Sequence, residues 1–392
     1  MNKKYLLTTG RILFVILIII LLELIGYFGI YFNSNNSLFP SNLNYYNIKK
    51  MLKADANNQN ISRYLTQPYL NYIPNPGYKG NYYMEVLRNG YVSEEKKIQQ
   101  HNIDGYRGNR IPVEKSEKFR ILCIGGSTTY GTGVLNPENT FSAQLEKLLN
   151  KWHNSGELIL STSGVEVINA GLEAGNSAEE LMQYLFKYRY FKPDMVVLHS
   201  AGNDAMIDYT DKEFQADYTH SKRLDFNIDP LPSQSKWMMK SNFLSFVIIY
   251  FFYSDFNSSD LHFSRPEKQQ FAHWFDHELI YSDTSFYYHP FYQNHHKLIQ
   301  AILSDSASVI NLSFALNPED EFVKTHSDYV ERVNEFNNII ENSTAKFNNA
   351  HFLNYQYDSI PGEYWFDDCH LNTQGHSIKS KMIARKIKAI LK

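Results

Sequence analysis

Ser127 lies in the run Ile124-Gly125-Gly126-Ser127-Thr128-Thr129-Tyr130-Gly131, directly after the apolar stretch Phe119 to Ile124, and Asp367 and His370 stand three residues apart near the far end of the chain. A serine hydroxyl is a weak nucleophile until a base removes its proton, and an imidazole oriented by a carboxylate is such a base. On one loop, the Asp367 carboxylate can hold the Nδ1 proton of His370 while Nε2 faces the serine. Asp368 is the neighbouring rival for the acid. The same Asp-x-x-His spacing recurs at Asp217 and His220, but no strand candidate precedes that copy.

Attack on an acyl carbon also creates a negative oxygen that needs aimed donors. Two further blocks offer them. Asn169-Ala170-Gly171-Leu172-Glu173-Ala174-Gly175 follows one apolar run, and Gly202-Asn203-Asp204 follows another. The side-chain amide of Asn203 and a backbone N–H at Ala174 or Gly175 are the oxyanion candidates. Two other uses of a glycine-rich serine turn are excluded. No Gly-Lys-Ser/Thr follows to make a phosphate loop, and Thr129 stands where a Gly-x-Ser-x-Gly elbow needs its second glycine. His289, His295 and His296 cluster without a carboxylate or cysteine at ligand spacing, so they read as solvated loop histidines. Neither a metal nor another cofactor is expected.

These residues need a frame that brings them to one edge. From Phe119 onward, short apolar runs alternate with amphipathic stretches, the pattern of a parallel sheet wrapped by helices. The strand candidates are Phe119 to Ile124, Val165 to Asn169, Met195 to His199, Val309 to Phe314 and Phe352 to Tyr355. Phe141, Leu145, Leu148, Leu149 and Trp152 form one helical face. A second helix should begin at Ser177-x-x-Glu180, a capping-box spacing, with Leu181, Leu185 and Tyr188 inward. The last helix turns Ile378, Met382, Ile383, Ile387 and Leu391 inward and its lysines and Arg385 outward. In an open sheet of this kind ligands sit outside the carboxyl ends of the strands, where Ser127, Asn203 and His370 would gather.

The N-terminus carries a targeting signal. Ile12 to Phe32 is almost wholly apolar, long enough for a hydrocarbon core of roughly 30 Å at about 1.5 Å per residue, and Glu23 is its single charge. That acid costs about 2.5 to 3.5 kcal/mol, less than the surrounding Leu, Ile, Phe and Val return at about 0.3 to 0.6 each. Lys3, Lys4 and Arg11 precede the segment, whereas Asn33 to Tyr46 holds no Lys or Arg, so residues 1–11 should be cytoplasmic, 12–32 a signal-anchor, and the remainder extracytoplasmic. A cleaved signal peptide would want a shorter apolar stretch and a small-x-small site. Residues 33–115, rich in Asn, Tyr, Gly and Pro, read as a juxtamembrane region that packs on the catalytic domain and ends in the turn Asn102 to Gly108. Residues 116–392 form that domain, and the stretch at about 208–292 reads as an inserted cap, because it is too long for a bare loop. Within the cap, Phe243 to Tyr253 is too short to span a bilayer and reads as a helix buried in the core.

With a net charge of −3, the chain has no basic footprint for nucleic acid. The tyrosines and phenylalanines crowd between Tyr64 and Tyr83 and between Phe243 and Tyr292, a pattern of core packing. Cys123 and Cys369 stand beside the serine and the histidine and read as two separate buried thiols.

The four blocks together, Gly126-Ser127 with Thr-Thr-Tyr-Gly, Asn169 to Gly175, Gly202-Asn203-Asp204 and Asp367-x-x-His370, resemble those of the SGNH hydrolase superfamily, also called GDSL esterases and lipases, over residues 118–392. The resemblance implies a flavodoxin-like three-layer α/β/α sandwich with a parallel sheet of about five strands. It implies Ser127 as nucleophile, His370 as base, Asp367 as its partner and Asn203 as an oxyanion donor. Gly126 replaces the usual Asp of the first block, at a position that is not catalytic. The second block's oxyanion glycine aligns with Ala174 rather than Gly175, and alanine serves because the donor is a backbone N–H. The expected activity is that of a membrane-anchored extracytoplasmic serine esterase cleaving small, acetyl-type esters from a carbohydrate or lipid. An O-acyltransferase modifying an exported glycan would use the same residues, and a non-catalytic glycan-binding or assembly protein would keep only the fold.

Overall fold

The computed structural model describes residues 3–33, 64–66, 70, 72–80, 98–210, 241–253, 289–355 and 360–392. They fall into two compact units. In the larger, five strands form a wholly parallel sheet. These are β5 (Phe119–Gly125), β6 (Val165–Gly171), β7 (Met195–His199), β8 (Ser308–Leu312) and β9 (Ala350–Leu353), in the order β6-β5-β7-β8-β9. Four short strands, β1 (Tyr64–Thr66), β2 (Tyr72–Pro74), β3 (Lys79–Gly80) and β4 (Ile98–Gln99), pair as two small antiparallel ribbons.

Alternation along β5 builds the layers, because successive side chains leave opposite faces. Ile121 and Cys123 face the helices Phe141–Asn154 and Thr373–Ile390, packing with Leu145, Leu149, Ile383 and Ile387. Leu122 and Ile124 face the helices Ser177–Phe186 and Pro290–Ser304, packing with Tyr184, Leu298 and Ile302. The result is the expected three-layer α/β/α arrangement. One charge sits within β5: buried Arg120 lies beside Glu166 on β6, with Nε 2.6 Å from its carboxylate. Its guanidinium also donates to the carbonyls of Val113 and Glu114, so the buried cation is fully partnered.

Several expected boundaries move. The fourth strand is Ser308–Leu312 and the fifth Ala350–Leu353, each shifted toward the N-terminus of its apolar run. The capping box of the second helix is Asn176 with Glu179, one residue earlier than Ser177 with Glu180. Ser177 is diverted because its Oγ and its N–H both donate to the buried Asp204 carboxylate. The histidine cluster is helical rather than looped. Pro290 occupies the first turn, His289 caps it by accepting from Phe291 N, and His295 is buried against Asn311. The lysines of the last helix do not all face outward either. Lys379 is 1 % exposed, because it shares the inward face with Ile383 and Ile387 at four-residue spacing.

The smaller unit contains the helices Lys3–Asn33 and Asn242–Tyr253. The stretch Arg11–Gly29 is long and apolar enough to cross a membrane, and almost none of it is buried. Glu23 accepts from the backbone N–H of Asn242 (2.7 Å) and from the hydroxyl of Ser241, so the one acid of the apolar segment caps the second helix. The second helix lies so close to Gly26 that a Cβ there would meet the backbone of Phe243. The apolar stretch expected in the catalytic core therefore packs on the N-terminal helix instead. The rest of the expected cap, with Asp217 and His220, lies outside the described residues apart from its two ends.

Candidate active site

The sheet order places a switch point beside β5, because the chain passes from β5 outward to β6 and then returns across β5 to β7. Ligands bind in the crevice such a reversal opens at the carboxyl ends of the strands. β5 ends at Gly125, and Ser127 is the first residue of a single helical turn, Ser127–Tyr130. At Gly125 the backbone has φ +156, and a Cβ would lie 2.4 Å from the carbonyl oxygen of His199, so only glycine lets the strand turn there.

Ser127 Oγ lies 2.7 Å from His370 Nε2, and His370 Nδ1 lies 2.8 and 2.9 Å from the two oxygens of Asp367. The Asp367 carboxylate also accepts from the backbone N–H groups of Cys369 (3.2 Å) and His370 (2.8 Å). The loop is held in turn by Asn317, whose side chain donates to the Asp367 carbonyl and whose N–H donates to the Asp368 carbonyl. Burial alone would raise the Asp367 carboxyl, but the facing His370 and these hydrogen bonds outweigh it and hold it below the usual range. Burial lowers His370 and the Asp367 carboxylate raises it, and the net is a base above its ordinary 6.5. Asp368 goes the other way. Burial, reinforced by the Asp367 charge, pushes it up to about 6, and it makes no contact with the His370 ring among the described hydrogen bonds.

The oxyanion candidates Asn203 and Gly175 meet at Gly126, the residue before Ser127. Asn203, in the first turn of the helix Gly202–Thr210, donates from Nδ2 to the carbonyl of Gly175 at 2.7 Å. That amide lies against Gly126, where a Cβ would be 2.6 Å from Nδ2. Gly126 is thus the seat of the Asn203 amide. Gly175 N donates to Leu172 O at 2.9 Å, whereas Ala174 adopts the left-handed conformation, φ +56. Such a conformation is uncommon for a residue with a side chain. Glu173, next to it, is fastened at three points. Tyr64 and Thr132 donate to its carboxylate, and Tyr72 donates to its backbone carbonyl.

The turn Asn102 to Gly108 supports the site from below. Asn102 accepts from Asp104 N in a side-chain turn, and Arg107, 2 % exposed, reaches past it. Its guanidinium donates to the carbonyls of Tyr130, Gly131 and Leu135 at 2.8 to 3.1 Å and lies over the Tyr130 ring. The loop that follows Ser127 is therefore tied to residues ahead of the sheet.

Sequence reasoning overlooks one group altogether. Behind the Ser127 turn, His199 at the end of β7 lies 2.9 Å from Thr128 Oγ1 and 2.8 Å from Lys379 Nζ through Nδ1, and 2.8 Å from Tyr355 Oη through Nε2. The only signal for Lys379 is its four-residue spacing from Ile383. Cys123 and Cys369 are both free thiols. Cys123 is buried, with burial pushing it up to about 12, and Cys369 is half-buried.

Residues 123–378 match the family described as GDSL-like Lipase/Acylhydrolase. Among solved structures, the chain is similar to the acetyl xylan esterase AlAXEase, with 15% identity, 68% of this chain and 99% of the other covered, and a TM-score of 0.41. A lipase/acylhydrolase from Enterococcus faecalis shows 17% identity over 70% of this chain and 97% of its own, with a TM-score of 0.41. Axe2, an acetylxylan esterase from Geobacillus stearothermophilus, shows 14% identity over 68% and 93%, with a TM-score of 0.37. No curated protein matches the chain.

Proposed function

Because the chain belongs to the GDSL-like lipase/acylhydrolase family, a family of serine hydrolases acting on esters, we infer that Ser127, His370 and Asp367 carry out acyl transfer through an acyl-serine intermediate. The observation that carries this reading is the unbroken relay from Asp367 through His370 to Ser127 Oγ, with links of 2.8 and 2.7 Å. Ser127 passes its proton to His370 Nε2 as Oγ attacks the ester carbonyl. The imidazolium is stabilised by Asp367 and then protonates the leaving alcohol. Water, activated by the same histidine, releases the acid.

The negative oxygen of the tetrahedral intermediate is received by the Ala174 N–H and by Asn203 Nδ2, which carries a second hydrogen besides the one given to Gly175 O. Ala174 is preferred to Gly175 as backbone donor, since Gly175 N is engaged by Leu172 O. Gly126, Ala174, Gly175 and Asn203 are small or polar, which supports an acetyl-sized acyl group on a carbohydrate or lipid. The N-terminal apolar helix supports an extracytoplasmic, membrane-anchored enzyme.

Turnover of an acetylated oligosaccharide, with and without a free oligosaccharide acceptor, tests the reaction type. An esterase releases acetate at full rate with water alone. Acetate release that is negligible until an acceptor is added, with the acetyl group then found on the acceptor, identifies an O-acyltransferase instead.

A further inference from the structure

Lys379 is a buried amine with no carboxylate within ion-pair distance among the described residues. Removing a cation from water without a counter-charge costs several kcal/mol, so the sequence keeps it at the expense of stability. Its position gives the reason. Nζ donates to the carbonyl of Thr128 (3.2 Å), the residue after the nucleophile, and to Nδ1 of His199 (2.8 Å), and it lies 4.2 Å from the centre of the Phe141 ring.

Burial keeps His199 neutral, far below its ordinary value. With Nδ1 accepting from Lys379, the network assigns the ring proton to Nε2, which donates to Tyr355 Oη. Thr128 Oγ1, 2.9 Å from the same Nδ1, closes the set. The turn that presents Ser127 is thus pinned from behind through the Thr128 backbone and side chain. The pin is the one cationic group in the network.

We propose that Lys379 is a positioning residue for acyl transfer: it pins the Ser127 turn from behind, through Thr128, and so holds Ser127 against His370. This rests on the reading of Ser127 and His370 as nucleophile and base. A cation there opposes protonation of His370, so it keeps the base free to lower pH. The groups facing Lys379 are Cys123 on β5, His199 on β7, Tyr355 after β9, and His376 on its own helix. Those facing His370 are Ser127 and, on its own loop, Asp367, Asp368 and Cys369. Among these, Lys379 is the group whose charge favours the neutral imidazole while the carboxylates oppose it. Burial brings Lys379 itself down to about 7, so the effect is greatest on the acid side of neutrality.

The test is the rate at which a fluorophosphonate labels Ser127 as a function of pH, in the full-length protein and its Lys379→Met and Lys379→Gln variants. Labelling needs the serine and its base but no natural substrate. Both variants remove the charge, and only glutamine keeps a donor for the Thr128 carbonyl. The acid limb should move to higher pH in both variants, and the plateau rate should fall about tenfold in Lys379→Met. Removing the buried cation offsets the lost hydrogen bonds, most fully where a donor remains, so Lys379→Gln should melt close to wild type and Lys379→Met should still fold. An unmoved acid limb, or variants that fail to fold, overturns the proposal. If Ser127→Ala labels as fast as wild type, the underlying serine reading fails instead, so the two failures are distinguishable.

Discussion

Asp367 and Asp368 are adjacent carboxylates with opposite surroundings. Asp367 takes the ring N–H of His370 and two backbone N–H groups, whereas Asp368 is pushed up to about 6 by burial and by the Asp367 charge. Spacing alone left both as partners for His370, and only the loop geometry separates them. Asp367→Asn should lower kcat/KM by on the order of 10³ to 10⁴, and Asp368→Asn by less than about tenfold; equal losses would contradict the assignment. The base must be unprotonated, and Asp367 lifts His370 above 6.5. kcat/KM should therefore rise with pH through a pKa above 6.5, and that limb should move to lower pH in Asp367→Asn, where burial lowers His370 without the Asp367 charge to oppose it. A profile flat between pH 5 and 8 would be inconsistent with a histidine base.

At the scale of elements, the site depends on how closely loops approach one another. Gly126 leaves room for the Asn203 amide, so Gly126→Ala should displace the proposed oxyanion donor. The expected loss in kcat is about 10²-fold with the melting temperature nearly unchanged; wild-type kcat would separate Asn203 from the reaction. Arg107 ties the loop after Ser127 through several buried carbonyls, and Arg107→Leu should destabilise the domain by more than about 3 kcal/mol in denaturant melts. The strands β5, β6 and β7 were legible because each is a short apolar run with a glycine or polar block after it. The ends of β8 and β9 were less so, since their apolar runs continue past the last ladder bond. Asn176 could not be told from Ser177 as a cap by spacing, because what decides between them is Asp204, distant in sequence and adjacent in space. Lys379 departs from expectation for a simpler reason: a lysine's charge points outward, but its four-residue spacing from Ile383 and Ile387 puts it on the buried face.

For the molecule as a whole, the N-terminal apolar helix was plain from composition. Its pairing with Asn242–Tyr253 was not, because local pattern says nothing about a partner more than two hundred residues away. A reporter fused after Phe32 should read out on the extracytoplasmic side, following the positive charges of Lys3, Lys4 and Arg11; activity of a cytoplasm-only reporter at that junction would reverse the topology. The catalytic reading is independent of that result and has its own direct test. Rapid quenching of turnover with an activated acetyl ester, followed by peptide mass analysis, should find the acetyl group on the peptide containing Ser127, and turnover should vanish in Ser127→Ala. Steady turnover by Ser127→Ala at the wild-type rate would contradict the account.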